Sequence, residues 1–238
     1  MENDFCKILN TRLSGLLPGE FIDTHHIHIV VRAGRLGFSD GKSHHSATDS
    51  HLVVWQMSNS IEKISYSSDF EADFLIVSAD FLQHYNPEMV WASKGFVFIR
   101  LNPSFHLDAD SLALIDNDFE QFRRRQSSPG EQFRRELLGH QLQLFLYDLW
   151  TVYWQGMTHM EASDSSGRLF LRLLSLLGRH SRTEREVSYY ASRLCVTPKY
   201  LSQVSKSVSG LPASAWITFM QPTSWWFCWA THRSHSPR

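Results

Sequence analysis

In residues 188–210, SYYASRLCVTPKYLSQVSKSVSG, the polar positions Lys199, Ser202, Gln203 and Lys206 follow one another at steps of 3, 1 and 3. At 3.6 residues per turn these fall on one side of a helix, and Leu201, Val204 and Val208 fall on the other. Such outward side chains suit the edges of nucleic-acid bases. A lysine bonds guanine O6 or N7, a glutamine reads adenine, and a serine is short and permissive. Thr197 precedes Pro198, so it is the expected N-cap, with Pro198 at the first helical position where its missing N–H costs nothing. A helix start of this kind also holds a phosphate oxygen, and Lys206 adds charge toward a backbone. The alternative is an ordinary helical hairpin with a solvated face.

A second helix must precede this one. Thr183-Glu184-Arg185-Glu186 has the T-x-x-E form of a capping box, which predicts a start at about Glu184. Val187, Tyr190, Ala191 and Leu194 form its inner face, and it ends near 194–196. The later helix is predicted over Pro198 to about Val208, with Gly210 in its C-terminal cap region. Two helices joined by three or four residues have helix-turn-helix geometry.

Charge follows the same division. Residues 165–210 hold eight basic residues (Arg168, Arg172, Arg179, Arg182, Arg185, Arg193, Lys199 and Lys206) against Glu184 and Glu186, while the whole chain is −1. A basic block beside an acidic one points to two modules, the basic one facing a polyanion. With 238 residues and 42% hydrophobic content the chain is long enough for one large domain or two smaller ones. No apolar run reaches the roughly 18 residues that span a bilayer. MENDFCKILN has no signal-peptide pattern, and Cys6, Cys195 and Cys228 lie far apart. A cytoplasmic protein with free thiols and no membrane association is expected.

His25, His26 and His28 raise the question of a metal. In a strand His26 and His28 share one face and His25 takes the other. Ordinary strand histidines are expected, because no matching Glu follows closely and His44, His45 and His51 lie in what reads as an exposed loop, GKSHHSATDSH. No GxSxG, P-loop, GxGxxG or HExxH is present. No catalytic residue, metal or cofactor is assigned, and no enzymatic reaction is expected.

Upstream of residue 110 the chain reads mainly as strands. HHIHIVVRAG, HLVVWQMS, EADFLIVS and GFVFIRLN are short β-branched and aromatic runs between turn residues. Their spacing predicts a β-sandwich or barrel. A short helix is expected at SADFLQHY, with Ser78 as N-cap. The period then changes. A helix is predicted over Asp116–Arg125, then a break at Ser128-Pro129-Gly130, then a long helix over about 131–154. Phe133, Leu137, Leu138, Leu142, Phe145 and Leu149 make its apolar face, widened by Leu144, Leu146, Trp150 and Tyr153. That width points to packing on the sheet and also on a second copy of the chain. EASDSSG (161–167) reads as a linker, followed by a helix with Leu169, Leu173, Leu176 and Leu177 on one face.

The run ASRLCVTPKYLSQVSKSVSGLPASAWI resembles the DNA-binding domain of AraC-type transcription regulators, over about 167–217. It is similar to the family pattern A-x-x-[LV]-x-[LVY]-[ST]-x-x-[YH]-L-x-[RQ]-x-[FV]-[KR]-x-x-x-G-x-[ST]-x-x-x-[YW]-[IL]. The resemblance implies double-stranded DNA as partner, with Lys199, Ser202 and Gln203 reading bases and Thr197, Tyr200 and Lys206 near the backbone. It implies an N-terminal cupin-like barrel or sandwich with dimerisation helices, hence an α+β chain. The expected domains are 1–160 for sensing and dimerisation, 165–217 for a first helix-turn-helix, and 218–238 for an aberrant or disordered tail. A homodimer through 131–154 and an unidentified small-molecule effector go with this reading.

The family pattern breaks where ITFMQPTSWWFCWATHRSHSPR begins. A second helix-turn-helix unit is implied by the resemblance and is not recognisable in this run. A frameshift, a truncation, or a natural aromatic tail packing on the first domain would each account for it. On the first two accounts the inner Leu and Val side chains of 187–208 are expected to lose their cover, which impairs DNA binding. The alternative function is a cupin-like small-molecule binder or metal-dependent enzyme with a vestigial helical tail.

Overall fold

The computed structural model describes residues 5–10, 25–39, 43–56, 61–85, 95, 98–99, 102–127, 132–163 and 165–220. They fall into two compact units. The first lies within Met1–Pro87 and Asn102–Val152, and the second within Glu88–Leu101 and Tyr153–Arg238. The break at 128–130 and the run from 221 onward lie outside the described residues.

The first unit contains strands β1 (Cys6–Asn10), β2 (His25–Ala33), β3 (Leu36–Ser39), β4 (His44–Ala47), β5 (His51–Trp55), β6 (Glu62–Tyr66), β7 (Glu71–Ser78) and β8 (Ser104–His106). One sheet runs β1-β7-β2-β5-β8 and the other β4-β3-β6, with every pairing antiparallel. The register sets Ile27 opposite Ile76 and Ile29 opposite Phe74 on β7, and Ile27 opposite Trp55 on β5. Strand alternation sends these side chains to one face, where they pack with Leu36, Phe38 and Ala47 of the second sheet. The two sheets thus share an apolar interior, as the strand spacing predicts.

The other face of the five-stranded sheet is buried too. His28, Val30, Leu52, Val54, Leu75 and Val77 are almost fully enclosed. Their cover is helical: α1 (Ala79–Tyr85), α2 (Ala109–Ser127) and the first part of α3 (Arg134–Ser163). Phe145 of α3 meets the ring of His28 at 5.0 Å, and Phe119 and Phe122 of α2 lie against Phe145. A sheet covered on both sides needs apolar residues at successive positions, which explains why β2, β5 and β7 show continuous runs rather than alternation. Gly139 lets α3 approach the Tyr85 ring; a Cβ there would overlap it.

Polar contacts fix α2 on the sheet. Asp73 of β7 accepts from Asn10 at 2.8 Å, Arg32 at 2.8 Å and Arg123 at 2.6 Å. Burial pushes this carboxyl upward, but the bonds from Asn10, Arg123 and Arg32 outweigh it and hold it below its ordinary range. Arg32 also reaches Asp116 of α2 at 2.5 Å.

Several elements differ from the sequence expectations. GKSHHSATDSH is not wholly a loop: residues 44–47 form β4, paired with β3, and His45 stacks on Phe38 at 5.0 Å. GFVFIRLN is not a strand where it is described. Gly95, Phe98 and Ile99 have helical backbone, and Phe98 packs on Tyr153 at 5.1 Å in the second unit. A short apolar run carries no period that separates a buried strand from a buried helix. Helix α2 starts earlier than Asp116, because Asp108 accepts from Ser111 N at 2.8 Å and caps it. Helix α3 begins at Arg134, so Phe133 precedes it and is exposed, as is Leu144. It continues to Ser163, and α4 (Ser165–His180) follows, so residues 161–163 and 165–167 are helical rather than a linker. The expected cap does form at Ser78, whose Oγ accepts from Phe81 N at 3.3 Å.

Candidate nucleic-acid interface

The second unit's described residues form helices and the short connections between them. After α4 come α5 (Val187–Arg193), α6 (Pro198–Ser209) and α7 (Ala213–Phe219). Helix α4 presents Phe170, Leu171, Leu173, Leu174 and Leu177 to a core completed by Tyr190, Leu194, Leu201, Val204, Val208, Trp216, Ile217 and Met220.

Helix α5 starts later than the T-x-x-E signal predicts. Its N-cap is Glu186, with no side-chain bond. Thr183 belongs to the preceding turn: its N–H and its hydroxyl both donate to His180 O, at 3.0 and 3.3 Å. The unpaired carbonyls ending α4 thus take the residue that the sequence offers to α5. Tyr190 OH donates to Glu184 O at 2.8 Å, tying this turn to α5. Burial, then the fields of Glu184 and Tyr189, push that phenol up to about 12.

The turn is Leu194 to Thr197. Val196 N returns to Ala191 O at 3.0 Å, and Cys195 takes the left-handed region at φ 58°. Thr197 then caps α6 as predicted: its backbone is extended and its Oγ1 accepts from Tyr200 N at 3.2 Å, with Pro198 opening the helix. Gly210 ends α6 in the left-handed conformation at φ 78°, with its N–H on Lys206 O.

Between these caps the helix is two-faced. Leu201, Val204, Ser205 and Val208 are buried, while Lys199, Gln203 and Lys206 are exposed and Ser202 is half-exposed. At about 100° per residue, those four polar positions span an arc of roughly 100°. Thr197 and Tyr200 are exposed at the same end of the helix as Lys199. All six residues assigned from sequence are therefore on α6 or its cap. The structure adds Arg193 at the end of α5, which the sequence reading left unassigned. Its guanidinium lies over the Tyr189 ring at 5.1 Å, and Tyr189 meets His180 edge-on at 5.6 Å. The i to i+4 spacing of Tyr189 and Arg193 was the available signal.

The predicted exposure of the inner Leu and Val side chains is not found. Leu201 is 0%, Val204 5% and Val208 9% exposed, because α7 supplies Trp216 and Ile217 as cover. Trp216 Nε1 donates to Ser209 Oγ at 2.7 Å, and that hydroxyl donates to Ser205 O at 2.7 Å. Ser205 Oγ donates to Leu211 O at 2.7 Å. Helical structure runs two residues past 217 to Phe219, and Met220 O accepts from the buried Ser181 hydroxyl at 3.0 Å.

The histidines of β2 form a different environment. His26 and His28 share a face as expected, but it is the face under the helices, opposite the interior between the sheets. Burial lowers His26 to about 4, helped by His25, and lowers His28 to about 3, helped by His26. Among the described residues no group of three His, Cys, Asp or Glu is placed to hold a metal ion. Among them also, no helix is long and apolar enough to cross a membrane.

No protein-family model and no curated protein matches the chain. Solved structures similar to it include a lysine-to-alanine variant of apo ToxT from Vibrio cholerae, at 11% identity over 83% of this chain and 89% of that one, with a TM-score of 0.35. Wild-type ToxT from Vibrio cholerae with an unsaturated fatty acid bound gives 12% identity over 84% and 88%, with a TM-score of 0.34. The AraC-like transcriptional activator CuxR gives 10% identity over 94% and 78%, with a TM-score of 0.40. Superpositions this loose transfer no residue and no ligand.

Proposed function

We propose that the chain is a DNA-binding transcription regulator of the AraC type that performs no reaction and acts in the cytoplasm. The observation that carries this is α6. A capped, two-faced helix, set after a four-residue turn, presents Lys199, Ser202, Gln203 and Lys206 in one arc of a basic helical unit. In this reading the arc enters the major groove. Lys199, Ser202 and Gln203 meet base edges there, while Thr197, Tyr200 and Lys206 hold phosphates. The motif resemblance carried by the run 191–217 supports the same assignment. The test is anisotropy of the whole protein with fragmented genomic duplex, followed by selection of bound sequences. Q203A is expected to cost about 1–3 kcal/mol on the selected site and to relax its sequence at one position. K206A is expected to weaken all duplexes alike and to reduce the salt slope by about 1. Absence of duplex binding at low salt would sink the proposal.

A single module of this kind buries limited DNA surface, so pairing of two copies completes the reading. The outer side of α3 and its entry support it. Phe133, Leu144 and Tyr147 are 61%, 58% and 50% exposed. With His140 and Thr151, also exposed, they follow at steps of 7, 4, 3 and 4, the spacing of a coiled-coil seam. A second copy offers the same stripe under a two-fold axis.

A further inference from the structure

Asp118 sits on the inner side of α2 among Ile115, Phe119 and Phe122 and is 2% exposed. A carboxylate buried among apolar side chains needs partners. Gln141 Nε2 of α3 donates to its Oδ1 at 2.9 Å. Its Oδ2 is buried and receives no N–H or hydroxyl from the described residues. What stands next to it is another carboxyl, that of Asp148, seven residues beyond Gln141 on α3. Seven residues are about two helical turns, so both α3 residues project to the same side. Two carboxyl groups can hydrogen-bond only when one of them carries a proton.

Among the described residues, the other charged and titratable groups nearby do not supply a counter-charge to Asp118. From β2, His28 meets Phe145 between Gln141 and Asp148, and burial keeps it neutral, with its Nδ1 unpartnered. Arg32 is committed to Asp73 and Asp116, and Arg123 to Asp73 and Glu120.

We propose that Asp118 is protonated in the fold, holding its proton at the α2–α3 seam of the first unit beside the Asp148 carboxyl, and that losing it as pH rises loosens the two helices. The inference does not depend on the DNA-binding reading. Burial, then the charge and hydrogen bond of Asp148, push Asp118 up to about 7 against the opposing pull of Gln141. The unfolded chain releases the same proton near 3.8. This contribution to stability is therefore complete below the unfolded value and is lost as pH climbs toward about 7, tenfold in the unfolding constant per pH unit. The helix that loosens is the one carrying Leu144 and Tyr147 on its outer side.

The test uses the whole protein. With aspartate carboxyl carbons labelled for NMR, one resonance is expected to titrate near pH 7 and to be missing in D118N. If every described aspartate titrates below about pH 5, the proposal is overturned. Urea unfolding of the wild type, D118N and D148N from pH 5 to 7 gives a second reading. An Asn at either position donates an N–H to the remaining carboxylate without a proton. The wild-type unfolding constant is expected to rise about fiftyfold relative to either variant over this window. A ratio constant with pH refutes the buried proton on Asp118. Should one variant fail to fold, the other and the wild-type titration decide the question.

Discussion

The cover that α7 gives to α6 rests on one side chain, and its removal has a calculable cost. Trp216 is fully buried, packs against Phe170 with ring centroids 5.5 Å apart, and donates to Ser209 Oγ at 2.7 Å. A buried indole removes about 200 Å² from water, worth roughly 5 kcal/mol at 25 cal/mol per Å². W216A is therefore expected to cost about 3–5 kcal/mol, a large part of a domain's stability of about 5–15 kcal/mol. The hydrogen bond is separable from the packing. The Ser209 hydroxyl has one hydrogen, spent on Ser205 O, and accepts from both Trp216 Nε1 and Leu211 N. S209A strands a buried indole N–H and is expected to cost about 1–3 kcal/mol. W216F removes the donor and some volume, and should cost about 2 kcal/mol. In the double variant the bond is lost once, giving a coupling of about 1 kcal/mol. The assay is urea unfolding followed by circular dichroism, fitted with a separate transition for each unit where two appear. Additive losses in the cycle, or a W216A loss under about 1 kcal/mol, would refute the account of how α6 is held. Because α6 carries the proposed base-reading face, W216A should also abolish duplex binding.

Two further predictions concern the first unit and its pairing. His26 and His28 stay neutral in the fold down to about 4 and about 3, whereas unfolded histidine takes up its proton near 6.5. The unfolded state then binds more protons, so this contribution is present above pH 6.5 and is lost as pH falls. Two such protons give a slope of up to ~2.7 kcal/mol per pH unit, offset by about one proton from Asp118 in the same window. H28L is expected to shift the acid-unfolding midpoint to lower pH, and an unchanged midpoint would contradict the assignment. For pairing, sedimentation equilibrium is expected to give a dimer for the wild type and a monomer for L144E/Y147E with unchanged circular dichroism. A wild-type monomer at high micromolar concentration would remove α3 as the seam.

The sequence by itself determined the parts whose causes are local. Thr197-Pro198 and Gly210 bound α6 through capping and a left-handed terminus, and the step pattern between them set which residues face out. β2, β5 and β7 were legible because a doubly covered sheet demands continuous apolar runs. Tertiary structure decided the rest, where one residue type serves two outcomes. Thr183 carried a helix-start signal, but the carbonyls closing α4 claimed it. Residues 44–47 became a strand because β3 offered them a ladder, which no local preference announces. Phe98 and Ile99 fit a strand by composition and were taken into helical backbone by packing such as that on Tyr153. The meeting of Asp118, Gln141 and Asp148, 23 and 30 residues apart along the chain, depends on how α2 lies against α3. Spacing within a helix fixes a face, but only packing fixes what that face meets.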